Sequence, residues 1–142
     1  MHIRRATDLD LVFVRSSWLR SFASSELAQH ISRNDPKYCK GQEASQIYWS
    51  GQKLLINSIL ARSTTLVKAE SPTYVLGWIV YEPNDIVHYA YTRMSARGKG
   101  VFRELVKESN LDKSVRLTHW TRGMRTDRLM PGWQYDCFVL MR

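Results

Sequence analysis

The residues from Arg97 to Gly100, read Arg-Gly-Lys-Gly, combine two cations with two glycines just before an apolar-periodic run that begins at Val101. A glycine has no Cβ, so the backbone of such a loop can approach a ligand closely. Backbone N–H groups beside a helix N-terminus converge on a negative group, with the helix dipole behind them. The stretch predicts an anion-binding loop, with a pyrophosphate as the expected anion and a plain strand-to-helix turn as the alternative.

Other phosphate and metal motifs are excluded by spacing. The Gly-x-x-x-x-Gly-Lys-Ser/Thr pattern of a P-loop is absent, and the third glycine of a dinucleotide fingerprint is missing. The four histidines show no ligand spacing, so no metal site is predicted. Cys39 and Cys137 lie far apart in the chain. Two free thiols in a reducing cytosol are therefore favoured over a disulfide.

Composition bounds the class of protein and its partners. The chain has 142 residues, 44% of them hydrophobic, which predicts one globular domain over 1–142. No apolar run approaches the ~20 residues of a membrane span, and the first residues lack a signal peptide's apolar centre, so a cytoplasmic protein is expected. A net charge of +8 favours binding to a nucleic acid, a nucleotide cofactor or an acidic protein face. The alternative is a solvated basic surface with no such partner. Nucleic acid is not the expected partner, because no DNA- or RNA-binding motif accompanies the charge.

Hydrophobic periodicity and turn residues predict a β-α-α-β-β-β-α-β-β order, with a short helix or loop before the last strand and a mostly antiparallel sheet. Asp8 is expected to cap the first helix. Leu11, Val14, Trp18 and Phe22 follow in that helix at helical spacing. A loop over 32–41 precedes a second helix over about 42–61, with Ile47, Leu55 and Ile59 on one side. The later segments are a hairpin around Ser71-Pro72, a strand "IVHYAYTRM", a helix to about Ser109, and the strands "SVRLTHWT" and "WQYDCFVLM".

The loop at this place in this order of elements resembles the coenzyme A pyrophosphate loop of the GNAT superfamily of N-acetyltransferases. The family signature is Gln/Arg-x-x-Gly-x-Gly/Ala, and the matching residues are Arg97, Gly98, Lys99, Gly100, Val101 and Phe102. Phe102 departs from it, standing where the family has glycine or alanine, and its ring either crowds the pyrophosphate or points into the core. The segments "SSWLRSF" and "LTHWT" further resemble small GNAT-like proteins of bacteriophages and prophages. The resemblance covers nearly the whole chain and implies a single-domain α/β (α+β) fold with a mostly antiparallel central sheet flanked by helices.

The resemblance also implies acetyl-CoA as cofactor and an amine as acceptor. Acetyl transfer needs a deprotonated amine, a polarised thioester carbonyl and a proton for the leaving thiolate. By position, backbone N–H groups of Thr92 and Arg93 hold the acetyl carbonyl. His88, nine residues before Arg97, is in the position of the base and would act directly or through water. The alternative for His88 is a hydrogen-bonded histidine that helps cover the sheet.

Two residues are candidates for the acid that the resemblance implies, Tyr135 in the last strand and His119 at the end of the fifth. A buried, hydrogen-bonded His119 is the alternative, and the asparagine that many relatives carry near there is absent. The acceptor would meet the segment between the first two helices, which includes Tyr38, with Trp49 near its far end. That surface fits a small molecule, a peptide or a protein face.

Two functions remain open from the sequence. The first is an acetyl-CoA-dependent N-acyltransferase. The second is a catalytically weak or inactive GNAT-fold protein, phage-encoded and in the host cytoplasm, that binds a host or virion protein. Either could be a monomer or a homodimer.

Overall fold

The computed structural model of the protein describes residues 2–23, 41–111, 114–119 and 132–136, with the backbone alone at 22, 23, 41–45 and 47. Its elements in chain order are β1 (His2–Arg5), α1 (Asp8–Ala23), α2 (Gly41–Arg62), β2 (Thr64–Ser71), β3 (Tyr74–Glu82), β4 (Ile86–Thr92), a 3-10 turn (Met94–Ala96), α3 (Val101–Glu108), β5 (Arg116–Leu117) and β6 (Gln134–Tyr135). This is the order that the sequence predicts, although β5 is shorter than expected.

The six strands form one sheet in the order β1-β2-β3-β4-β5-β6. The first three pairings are antiparallel, whereas β5 runs parallel to both β4 and β6. The chain leaves β4 through the turn and α3 before it returns as β5, which is the crossover that a parallel pair requires. The predicted α/β class, with a mostly antiparallel sheet flanked by helices, is confirmed.

The first helix is capped one residue earlier than the sequence suggests. Thr7 Oγ1 accepts from the backbone N–H of Asp10 at 3.3 Å, and Asp10 Oδ2 accepts from the N–H of Thr7 at 2.7 Å. This reciprocal pair is a capping box, so Thr7 is the N-cap and the prediction of Asp8 is wrong. Arg4 forms an ion pair with Asp10 and ties the capping carboxylate to β1.

Helices α1 and α2 cover one face of the sheet. The side chains buried there include Val14, Trp18, Ile56, Ile59, Leu60 and Trp78. Of the residues expected on one side of α2, Ile59 is buried whereas Leu55 is 42% exposed, and the neighbouring Ile56 takes the core position. Ile56, Ile59 and Leu60 share one helical stripe, which Leu55 misses by one residue.

Helix α3 covers the opposite face, where Val101, Leu105 and Val106 are buried. Its close approach depends on Gly77 of β3. A Cβ at Gly77 would lie 2.8 Å from the carbonyl oxygen of Tyr91 and 2.8 Å from Val101 Cγ1, closer than real contacts allow. The glycine therefore lets α3, and the loop before it, sit directly on the end of β4.

Several predicted features lie outside the described residues: the side chains of Phe22 and Ile47, Tyr38, both cysteines, most of the loop over 32–41 and the end of the last strand. Gly41, the last residue of that expected loop, begins α2 instead. In the described ranges no helix is long and apolar enough to cross a membrane. The same part of the chain contains no group of three or more histidine, cysteine or acidic side chains able to hold a metal ion.

Candidate active site

The loop from Arg97 to Gly100 has a backbone that glycine adopts far more easily than other residues. Gly98 and Gly100 have φ values of +79° and +80°, in the left-handed region. A Cβ added to either glycine would meet nothing within 4 Å, so both face open space. The glycines therefore leave room for a ligand to approach the backbone.

Gly100 is also the N-cap of α3, and it provides no side-chain cap. The first N–H groups of a helix have no partner within the helix, so here they are presented to the space beside the loop. The acidic residue of this first turn, Glu104, is drawn aside by an ion pair with Lys68. Arg97 and Lys99 are exposed and add positive charge at the same place. The arrangement suits a multiply charged anion such as a pyrophosphate.

Packing explains why a large side chain is tolerated at Phe102, where the family signature has glycine or alanine. The Phe102 ring is partly buried against the core of the α3 face and meets the Trp133 ring edge-to-face, with 5.9 Å between centroids. Val101 is 3% exposed and belongs to the same core. Both side chains pack into the core, so the two residues would contribute to an anion site through their backbone N–H groups.

The backbone N–H groups of Thr92 and Arg93 differ in their hydrogen bonding. Both are predicted to bind an acetyl carbonyl. The N–H of Arg93 donates to the carbonyl oxygen of Leu76 at 2.8 Å and is used inside the sheet, which argues against its assigned role. Because N–H groups alternate along an antiparallel strand, that of Thr92 points away from β3, toward the side of β5. The carbonyl oxygen of Thr92 accepts from Arg97 Nε at 3.1 Å, which ties the loop to the end of β4. The role stays a prediction for Thr92.

The Arg93 side chain is held in place by contacts with α1 and β3. Its Nε donates to the carbonyl oxygen of Val75 at 2.6 Å. Its guanidinium lies 4.4 Å from the ring centroids of both Phe13 and Tyr74. Two cation–π contacts and a backbone bond thus join the end of β4 to α1 and to the start of β3.

Among the described residues, strands β4 and β5 pair over a short stretch. Their register covers Ile86↔Arg116 and Val87↔Leu117, and the N–H of Thr118 then donates to the carbonyl oxygen of Val87 at 3.1 Å. β4 continues to Thr92 along β3. In open α/β sheets, ligands bind beyond the carboxyl ends of the strands, where the strand arrangement changes. Beyond Val87 the described residues pair β4 with β3 alone, and the Arg97–Gly100 loop follows the carboxyl end of β4.

His88 is the extra residue of a β-bulge directly after this short pairing. Tyr81 of β3 pairs with Val87 and Val80 pairs with Tyr89, which leaves His88 without a counterpart in the register. Bulges redirect side chains and are common next to active sites. Here the imidazole lies between the end of β3 and the residues that follow β5.

Both ring nitrogens of His88 have partners, and the side chain is 0% exposed. Nε2 lies 2.7 Å from Glu82 Oε2, and Nδ1 lies 3.0 Å from Thr118 Oγ1. The same Oγ1 lies 2.8 Å from Nδ1 of His119, and Arg62 Nε is 3.7 Å from Glu82 Oε2. We refer to Glu82, His88, Thr118 and His119 as the histidine network. A fully buried His88 cannot meet a substrate directly, so any role as a base must pass through its neighbours.

Burial lowers the pKa of His88, while the hydrogen bond and the charge of Glu82 oppose this by raising it. Burial also lowers the pKa of His119 to about 4, and the nearby His88 adds to that effect. The His119 ring stands edge-on to Trp18 and Tyr89, with centroids 5.7 and 6.3 Å away. The imidazoles of the network are therefore neutral at neutral pH, and His119 lies among the aromatic rings under α1.

Tyr135 lies one strand beyond β5. It pairs in register with Leu117, and its side chain is 45% exposed. The register thus places Tyr135 two strands away from β4, whereas His119 is hydrogen-bonded into the network beside it. The role of the acid stays a prediction for both residues. Trp49, expected near the acceptor, is half-buried in α2 and packs edge-on against Tyr48.

The sequence predicted His88 and His119 but missed the residues that connect them. Glu82 reads as the polar end of a strand and Thr118 as an ordinary strand residue. The only feature that could have singled them out is their position at a strand end, because Glu82 ends β3 and Thr118 directly follows β5. Gly77 was missed as well, although a glycine inside a strand is a known sign of close backbone approach.

No protein-family model matches the chain, and no curated protein matches it. Solved structures with a similar fold include apo-form YjaB from Escherichia coli, with a TM-score of 0.48 and 18% identity over 76% of this chain. The chain spans 63% of the length of YjaB. A transcriptional regulator from Bacillus halodurans has a TM-score of 0.44 and 15% identity, covering 99% of this chain and 87% of that one. An acetyltransferase from Vibrio fischeri has a TM-score of 0.41 and 14% identity, covering 86% and 98%. At these scores the likeness assigns no activity to this chain.

Proposed function

We propose that the protein is an acetyl-CoA-dependent N-acyltransferase that moves an acetyl group to a primary amine. The observation that carries the proposal is the pair of left-handed glycines, Gly98 and Gly100, between two exposed cations and an uncapped helix N-terminus. This combination favours a pyrophosphate over a single carboxylate, because it offers several N–H groups and two positive side chains over one short loop.

The chain's own residues fit the remainder of the coenzyme. Acetyl-CoA supplies an activated acetyl group as a thioester. From Tyr89 to Thr92, β4 extends for about 10 Å with no described strand paired on its β5 side, and an extended arm can lie along it. The Thr92 N–H would bind the arm next to the loop, and the acetyl group would lie toward Tyr89, where the histidine network would receive the proton of the amine.

Thermal unfolding with acetyl-CoA tests the proposal. Ligand at a hundred times its dissociation constant should raise the free energy of unfolding by about 2.7 kcal/mol, which appears as a higher Tm. Free coenzyme A should give a comparable shift, because the pyrophosphate is common to both. No shift with either compound contradicts the proposal, and stabilisation by nucleic acid instead would favour a different partner for the basic surface.

The variant Gly100→Val should lose coenzyme binding, because its side chain enters the open space beside the loop. A valine at φ +80° also strains the backbone by about 1–3 kcal/mol, so Tm without ligand should fall while the fold is kept. Gly51→Val is the matched control, since a Cβ at Gly51 of α2 also meets open space. If Gly100→Val binds acetyl-CoA as tightly as the parent, the loop is only a turn.

A further inference from the structure

The guanidinium of Arg93 is fixed by its inner nitrogen and by two aromatic rings. Nε donates to the carbonyl oxygen of Val75, and Cζ lies 4.4 Å from the ring centroids of both Phe13 and Tyr74. Among the described residues, no carboxylate or carbonyl oxygen accepts a hydrogen bond from either Nη atom. The side chain is half-buried, so its charge is partly removed from water, and in this part of the chain no anion balances it. Both Nη groups are therefore available to donate to an anion.

Exposed apolar side chains gather around this guanidinium. Leu9 and Val12 of α1 are exposed, and both lie within about one turn of the ring that contacts the guanidinium. Met94, which follows Arg93 directly, is 78% exposed, and Tyr74 is exposed as well. Four of the seven large apolar side chains that are exposed in the described ranges thus lie at this one place, and such clustering marks a binding surface. We refer to the surface as the arginine patch, which consists of Leu9, Val12, Phe13, Tyr74, Arg93 and Met94.

The kinds of side chain in the arginine patch favour a protein partner. Arginine, tyrosine, phenylalanine and methionine are enriched at the centres of protein interfaces. The rings and the bond to Val75 already hold the guanidinium in place, so little side-chain entropy is lost when a partner binds. The patch therefore has both the composition and the rigidity of an interface centre.

We propose that the arginine patch binds a partner protein through a segment in which one aspartate or glutamate lies between aliphatic side chains. The planar fork of a fixed arginine matches the two oxygens of a carboxylate, and the aliphatic side chains of the segment would cover Leu9, Val12 and Met94. A single arginine favours a carboxylate over a phosphorylated residue, because phosphorylated residues are bound by clusters of arginines. The proposal goes beyond the acyltransferase function and does not depend on it.

A second copy of this chain fits the arginine patch less well than a different protein. A two-fold contact centred on the patch would bring two Arg93 guanidinium groups together, and like charges at an interface oppose association. A partner that supplies the carboxylate itself meets no such repulsion.

Selection from a random peptide library displayed on phage tests the proposal, with the full chain as the immobilised target. Enriched peptides should share one aspartate or glutamate with leucine, isoleucine, valine or phenylalanine on both sides of it. In the most enriched peptide, replacing that acid by its amide should weaken binding by roughly 10-fold, measured by fluorescence anisotropy, because a charge-assisted bond is lost. Enrichment of no peptide, or of a shared sequence without an acidic residue, overturns the proposal.

Two leucine variants show whether the enriched peptide binds at the patch, which matters because a chain of net charge +8 attracts acidic peptides elsewhere too. Leu9→Ser should weaken binding of the peptide by roughly 10-fold, because an apolar contact is lost. Leu54→Ser is the matched control on α2, where Leu54 is 72% exposed, and it should bind as the parent does. Both side chains are exposed, so the Tm of both variants should stay close to that of the parent. Equal binding by Leu9→Ser and the parent, or an equal loss in Leu54→Ser, overturns the proposal.

Variants of Arg93 separate the planar fork from the positive charge. Arg93→Lys keeps the charge but not the fork and should weaken peptide binding by roughly 5-fold, whereas Arg93→Gln should weaken it by at least 10-fold. Urea denaturation checks that each variant is folded, and the Leu9→Ser comparison decides where one of them is not. A folded Arg93→Gln protein that binds the peptide as tightly as the parent overturns the proposal.

Two further measurements distinguish the partner protein from other occupants of the patch. Sedimentation of the parent should show no dimer that Leu9→Ser abolishes, and vesicles of phosphatidylserine should bind the parent and Leu9→Ser equally. A dimer that depends on Leu9 would assign the patch to a second copy, and vesicle binding that depends on Leu9 would assign it to a membrane surface. Either result overturns the proposal.

Discussion

The Arg97–Gly100 loop and the histidine network lie at different levels of β4 and obtain their chemistry in different ways. The loop is exposed and depends on backbone conformation and on two nearby cations. The network is largely buried and depends on side chains in or next to three strands. Exposed loops bind ligands at little cost to the fold, whereas a buried polar chain must be fully hydrogen-bonded for the fold to tolerate it. Substitutions should therefore affect binding at the loop and stability at the network.

The largest expected effect is on stability, from His88→Ala. Removing the buried imidazole leaves a cavity and leaves Glu82 and Thr118 without its hydrogen bonds, so the free energy of unfolding should fall by about 3 kcal/mol. Urea denaturation measures it. His2→Ala is the control, because His2 is exposed and should change stability little. His88→Gln should recover part of the loss. A His88→Ala protein as stable as the parent would mean that the network does not support the fold.

The next largest loss of stability is expected at Gly77, where α3 packs closely against the sheet. Gly77→Ala places a Cβ 2.8 Å from a backbone oxygen and from Val101 Cγ1, so β3 and α3 must separate, at a cost of about 2 kcal/mol. Coenzyme binding should weaken too, since α3 carries the loop. Gly51→Ala is the matched control and should stabilise α2 by up to about 1 kcal/mol. Denaturation of both variants measures the difference, and equal stability would show that the contact at Gly77 relaxes freely.

Acidification should reduce stability through His119. Its pKa of about 4 in the folded protein lies below the ordinary value of 6.5, so the unfolded chain binds more protons between these values. The stability contribution is complete above pH 6.5 and is lost as the pH falls toward 4. Between about pH 7 and about pH 5 the loss should be about 2 kcal/mol. Denaturation at both pH values measures it, and the difference should shrink in His119→Gln. An undiminished difference in that variant would assign the effect to other groups.

The smallest effects belong to the loop cations. Arg97→Ala and Lys99→Ala should each weaken acetyl-CoA binding by roughly 5-fold, and more at low salt because exposed charges are screened. Calorimetric titration at two salt concentrations measures this. Lys107→Ala, at the other end of α3, is the control and should bind as the parent does. The free energy of unfolding should change little in all three. A large loss of stability in Lys99→Ala would contradict the expected difference between the loop, which affects binding, and the network, which affects stability.

Part of the fold followed from local residue patterns. The hairpin around Ser71-Pro72, the helix that begins at Val101 and the order of elements were predicted, because each depends on turn residues or apolar spacing within a short stretch. The core position of Ile56 and the cap of α1 were missed. Leu55 and Ile56 are adjacent and similarly apolar, and Thr7 and Asp8 are both good caps, so only packing and the ion pair of Arg4 with Asp10 decide between them.

The conformation of the loop could be predicted from the sequence because everything that defines it lies within a few residues. Gly98 and Gly100 permit the left-handed backbone, and the apolar run from Val101 places a helix directly after them. The sequence also indicated His88 and His119 as candidate residues. Only the tertiary structure decided which partners they have. A bulge in β4 turned His88 toward Glu82 and Thr118, which come from other segments of the sheet, and burial removed the water that would otherwise compete for their hydrogen bonds. Contacts between distant segments depend on register, and a shift of one residue in register moves a side chain to a different set of partners.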